Sequence, residues 1–103
     1  MAQWLSRILK RIKELAAQHR VRLTYKALYE MALIEYGLDY EDVCHVLSKL
    51  TTHDFDARIV SETTKEWMYV FKPGISNTVI YLKVILREDC VVVSFHEDED
   101  DDE

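Results

Sequence analysis

Apolar positions recur every three or four residues through the first half of this chain and every second residue near its end. Trp4, Leu5, Ile8, Leu9, Ile12, Leu15 and Ala16 share one helical face, with Arg7, Lys10, Arg11 and Glu14 between them. That spacing predicts an opening amphipathic helix whose stripe is core, because the sheet that follows needs a cover. Arg20 to Thr24 alternates apolar and basic residues and predicts a short edge strand. Thr24 stands where it can cap a second helix running to about Glu35, closed by Gly37 in the left-handed conformation. Asp39 caps a third from Tyr40 to Leu50, with Val43, Cys44, Val46, Leu47 and Leu50 apolar. Strands are predicted at Phe55 to Ser61, Glu66 to Lys72, Thr78 to Arg87 and Cys90 to Glu97, with turns at Thr63-Thr64-Lys65 and Lys72-Pro73-Gly74. Helices first and consecutive strands afterwards predict an α+β fold: three N-terminal helices packed on a mainly antiparallel, twisted sheet.

The last two strands carry the most informative pattern. Ile80, Leu82, Val84 and Leu86 point one way, and Val79, Tyr81, Lys83 and Ile85 the other. Val91, Val93 and Phe95 are expected to continue the apolar face on the returning strand. A Glu88-Asp89 turn then pairs Arg87 with Cys90, Lys83 with Ser94 and Tyr81 with His96. An odd-length loop would mix the faces, so an even register is expected. It gathers a phenol, an ammonium and an imidazole on a face that a plain core strand would fill with Val or Ile.

Composition changes this picture mainly through charge. The 103 residues fit one domain, which can bury about 60 to 70% of its unfolded surface without a disulfide or metal. The net charge of -6 is unevenly spread: residues 97–103 are all acidic, whereas Met1 to Lys26 holds seven basic residues against Glu14 alone. The organisation expected is one domain over 1–97 and a disordered, solubilising acidic tail over 98–103. Cys44 and Cys90 lack metal-ligand spacing and read as core thiols of a reducing compartment. His19, His45, His53 and His96 are scattered, so neither a metal nor another cofactor is expected. No stretch reads as a membrane span or signal peptide, and a cytoplasmic protein is expected.

Tyr81-Leu82-Lys83 followed by Val93-Ser94-Phe95, with Trp67 and Pro73 upstream, Asp54-Phe55 before them and Gly37-Leu38-Asp39-Tyr40 earlier still, resembles the motility quorum-sensing regulator (MqsR) toxin family over about residues 19 to 97. The resemblance implies a RelE-like ribonuclease fold. It further implies a type II toxin that cleaves single-stranded mRNA without a metal, stops translation and growth, and is held inactive by an antitoxin protein. The family's active site includes a tyrosine and a residue after Ser-Phe, places that Tyr81 and His96 occupy here. Where the family member has Lys, Gln and Lys, this chain has His96, Met68 and, after Asp-Phe, Ala57 in an ungapped match or Arg58 with a one-residue shift.

Metal-free RNA cleavage needs a group to take the 2′-OH proton, a group to protonate the departing 5′ oxygen, and cations for the charge growing on phosphorus. His96 suits proton transfer because an ordinary imidazole titrates at about 6.5, close to cellular pH. Tyr81 can donate to a phosphate oxygen or act as the acid. Arg58 is the further catalytic candidate, a cation suited to two-pronged phosphate contact, and Lys83 and Met68 are the substrate-binding candidates. A silent family member that only binds protein or RNA is the alternative, favoured by Met68 and Ala57. Tyr25, Tyr29, Tyr36 and Tyr40 fall at helical spacing and read as packing or interface residues rather than stacking platforms.

Overall fold

The computed structural model describes residues 2–34 and 37–98. Helix α1 spans Gln3–Ala17 and buries Leu5, Leu9, Ile12, Leu15 and Ala16, the stripe its sequence spacing predicts. It stops at a left-handed residue, His19 (φ 57°). The His19 and Arg20 amides turn back to the carbonyls of Ala16 and Leu15 at 3.1 and 2.8 Å, which satisfies two of the helix's last acceptors. Strand β1 is Val21–Leu23. Helix α2, Tyr25–Ala32, starts on Thr24, whose hydroxyl accepts from the Ala27 amide as expected. It is shorter than the sequence suggests, with Leu33 as the cap residue. Gly37 does take a positive φ of 71°, but not at the end of α2; Glu35, the predicted end, and Tyr36 lie outside the described residues. Helix α3, Tyr40–Ser48, begins with a reciprocal cap in which the Asp39 and Asp42 carboxylates each accept the other's amide at 2.9 Å.

The strands that follow are β2 (Phe55–Val60), β3 (Trp67–Phe71), a two-residue β4 (Gly74–Ile75), β5 (Thr78–Leu86) and β6 (Cys90–Glu97). The main sheet runs β1-β6-β5-β3-β2, and β4 pairs with the start of β5. Every pairing is antiparallel except β1 with β6, which is parallel, so the sheet is mixed but mostly antiparallel and the fold is α+β. Leu5, Leu9, Ile12 and Leu15 of α1 and Val43 and Leu47 of α3 share one cluster with Tyr69, Phe71, Ile80, Leu82, Val84, Cys90, Val92 and Phe95 from one sheet face.

Helix α2 sits differently. β1 covers β6 only at Cys90, Val91 and Val92, and α2 takes over along the edge beyond it. The Thr24 amide donates to the Val92 carbonyl at 3.1 Å, and the Phe95 amide donates to the Glu30 carboxylate at 3.0 Å. A helical side chain thus satisfies an edge amide that a further strand would otherwise pair.

The β5–β6 hairpin corrects one sequence expectation. Leu86, not Arg87, pairs with Cys90, so the turn holds three residues, and a bulge between Lys83 and Val84 then shifts the register. Val84 pairs with Val92 but Lys83 with Ser94, which leaves Val93 as the extra residue. Cys90 and Val92 therefore join Phe95 in the cluster under α1 and α3, whereas Val91 is buried outside that cluster and Val93 is half-buried. The odd turn and the one-residue bulge offset each other, and the pairs Lys83–Ser94 and Tyr81–His96 form as the even register predicts.

Candidate active site

Cross-strand pairing lays out the sheet face opposite α1 and α3. One row runs Ala57, Val70, Lys83, Ser94 across β2, β3, β5 and β6. Tyr81 and His96 form the next row towards the chain's end, roughly 7 Å along the strands. Their rings stack, with centroids 5.0 Å apart and planes 9° from parallel. Both are half-buried, so each presents an edge to solvent. The His96 Nδ1 lies 2.7 Å from the Glu97 carbonyl oxygen. A carbonyl can only accept, so Nδ1 carries the proton in that bond and Nε2 is the ring nitrogen left outside it. The backbone then returns to ordinary pairing: the Asp98 amide donates to the Val79 carbonyl at 2.8 Å, and the Asp98 carboxylate lies 3.5 Å from Lys72 Nζ. Residues 99–103 of the acidic run lie outside the described residues.

Lys83 stands beside this pair, half-buried, and makes no hydrogen bond or ion pair with any described residue. Burial lowers its pKa, the nearby Lys26 ammonium lowers it further, and Glu30 partly opposes both. An ammonium held this way gains from an anion arriving against it. Lys26 and Glu30, one turn apart on α2, were not singled out by the sequence, although Lys26 belongs to its basic N-terminal stretch. Lys26 Nζ donates to Ser94 Oγ at 2.7 Å and lies 2.8 Å from the Glu30 carboxylate. Burial alone would raise the Glu30 pKa. The Lys26 bond, the Phe95 amide and the charges of Lys26 and His96 outweigh burial and hold Glu30 below its ordinary value as a carboxylate.

The structure brings Tyr81, His96 and Lys83 together but leaves Arg58 on the other side of the sheet. Arg58 pairs with Tyr69, a core residue of the α1 face, and its guanidinium lies between the Trp4 and Trp67 rings, 4.1 Å from each centroid. Strand alternation is the reason: Ala57, one residue earlier, takes the place in the Lys83 row. Met68 is half-buried and shares the face of Val70 and Lys83. It lies on the far side of Lys83 from Tyr81, level with Ile85 by continuation of the β3–β5 register. Among the described residues no group of three or more His, Cys, Asp or Glu side chains is placed to hold a metal ion. No helix among them is long and apolar enough to cross a membrane.

The face as a whole offers an imidazole, a phenol stacked on it and an ammonium with no partner among the described residues, groups whose chemistry suits an anionic substrate whose reaction moves protons. The family model described as "Motility quorum-sensing regulator, toxin of MqsA" matches residues 6–97. The mRNA interferase toxin MqsR of Escherichia coli (strain K12) is 31% identical over 90 residues, an alignment covering 86% of this chain and 90% of that relative. The chain belongs to the motility quorum-sensing regulator toxin family.

Proposed function

We propose that this protein is an endoribonuclease toxin that cuts single-stranded mRNA at the Tyr81–His96–Lys83 face. The observation that carries the reading is the parallel stack of Tyr81 on His96 beside a half-buried lysine that has no partner among the described residues. Nε2 of neutral His96 takes the proton of the ribose 2′-OH, and the 2′ oxygen bonds to phosphorus as the bond to the 5′ oxygen breaks. Tyr81 donates to the phosphate or supplies the proton that the 5′ oxygen takes up, and Lys83 offsets charge on the non-bridging oxygens. The products are a 2′,3′-cyclic phosphate and a 5′-hydroxyl. The side chains of the face supply each of these roles, with no metal or cofactor assigned one. The family's description as the toxin of a partner, together with the relative's name, supports control by a cognate antitoxin protein and action on mRNA, which this reading sets in the cytoplasm.

Incubation of purified protein with a defined single-stranded RNA in the presence of a chelator tests this. Discrete fragments ending in cyclic phosphate are expected. Intact RNA after prolonged incubation would overturn the nuclease reading. It would favour a silent member that binds RNA or protein with the same face, a reading that the apolar Ala57 and Met68 on that face support.

A further inference from the structure

We infer that Lys26, carried on α2 outside the catalytic hairpin, is a second phosphate-binding cation of this site, held ready by Ser94 and Glu30. The inference rests on the nuclease reading and adds to it a residue and a helix. The row Ala57, Val70, Lys83, Ser94 contains one charge, whereas a phosphodiester path along a single strand presents several. Ser94 is only 1% exposed and faces Lys83 directly across the hairpin, where opposed Cβ atoms lie about 5 Å apart. Lys26 reaches that same Ser94 hydroxyl, so two ammonium groups converge on one point from two elements. Their mutual repulsion contributes to the lowered Lys83 pKa.

The convergence would be costly without a counter-charge, and Glu30 supplies it at 2.8 Å. Glu30 cannot swing away freely, because its other carboxylate oxygen accepts from the Phe95 amide. Lys26 has room to turn outwards: its side chain is 58% exposed, against 17% for Glu30. An RNA phosphate reaching Lys83 can therefore draw Lys26 off Glu30 and share it, while Glu30 keeps its backbone bond. The solvent side of the same helix continues the surface. Tyr29 and Tyr25, read from their spacing as packing or interface residues, lie about 60° and 100° round α2 from Lys26 with both rings exposed, Tyr25 at 92%, so they are not packed and are open to stacking. A strand whose phosphate sits on Lys26 thus passes aromatic faces on which its neighbouring bases can stack.

Binding of a non-cleavable pool of short single-stranded 2′-O-methyl RNAs, titrated at several salt concentrations, reads this directly. Lys26→Gln is expected to weaken binding roughly threefold or more at low salt. It is also expected to flatten the slope of log affinity against log salt by about 0.7, the value of one single-strand phosphate contact. Lys26→Arg is expected to restore both. A lysine that merely tied α2 to β6 would change thermal stability and leave the slope alone, so an unchanged slope in Lys26→Gln overturns the inference. Should that variant fold poorly, Glu30→Gln keeps an acceptor for the Phe95 amide and removes the competing charge. Its affinity at low salt is expected to rise, and no rise overturns the inference equally. Parent protein that cleaves and binds RNA while Lys26→Gln matches it sinks this inference alone. Parent protein that neither binds the pool nor cuts RNA sinks the nuclease reading with it.

Discussion

The Tyr81 phenol ring lies flat on the His96 imidazole, 5.0 Å between centroids, although fourteen residues and a bulge separate them along the hairpin. The stack fixes the plane of the imidazole, and the Glu97 carbonyl fixes which nitrogen holds its proton. Tyr81→Phe keeps the stack and removes only the hydroxyl, whereas His96→Ala removes the nitrogen proposed to take the 2′-OH proton. Each is expected to cut the rate of RNA cleavage by about a hundredfold to ten-thousandfold and to relieve growth arrest on expression, with the protein still folded. Rates on a defined RNA, checked against thermal unfolding, decide the matter: a double variant as fast as the parent would show that the chemistry lies elsewhere.

Met68 gives a separate handle on the same face. Gln at this place would add a donor and an acceptor beside Ile85 and Lys83, where Met offers neither. Both side chains are unbranched and of similar length, and the position is only half-buried, so folding stability is expected to change little. Met68→Gln should alter the cleavage rate or the bases chosen more than the melting temperature. Identical fragment patterns from the two proteins would mean that Met68 is packing and no more.

What the sequence made legible follows from where local signals were strong. Asp39 and Thr24 cap their helices as expected, because a cap needs only residues three apart. Strand alternation separated Tyr81 and Lys83 from Leu82 and Val84, and the structure keeps that division. Two features had no local signature. The three-residue turn and the bulge at Val93 each shift the register by one, so only their net effect is visible in the alternation. Lys26 and Ser94 are 68 residues apart, and no periodicity joins a helix side chain to a strand it borders. Arg58 shows the opposite case: a guanidinium near the Asp-Phe pair has the right chemistry for phosphate, but strand parity sets it on the α1 face, away from Lys83 and Tyr81.

Its placement makes Arg58 a test of structure against function. Stacked between Trp4 and Trp67, it ties α1 to β2 and β3 through two cation–π contacts, each worth about 0.5 to 1 kcal/mol at an exposed site. Arg58→Ala is therefore expected to lower stability by on the order of 1 to 2 kcal/mol and to leave the rate of RNA cleavage by the folded protein within about threefold. Denaturant unfolding and cleavage assays on the same preparation separate these effects. A collapse of activity at unchanged stability would return Arg58 to the catalytic machinery.

The final prediction concerns acid. Arg87, in the hairpin turn, grips Glu66, just before β3, with two hydrogen bonds of 2.8 and 2.6 Å. Those bonds, with a smaller contribution from Thr64, pull the Glu66 pKa from 4.5 to about 2. A carboxyl whose folded pKa lies below its unfolded value binds protons more weakly when folded, so its stabilisation is complete above about pH 4.5 and is lost as pH falls through about 2. The pair is exposed, so salt screens it. Glu66→Gln is accordingly expected to melt below the parent at neutral pH and low salt, with the difference narrowing below about pH 4.5, closing near pH 2 and shrinking in high salt. A melting difference that stayed constant from neutral pH to pH 2 would show that the Glu66 charge contributes nothing and that only side-chain shape matters at this turn.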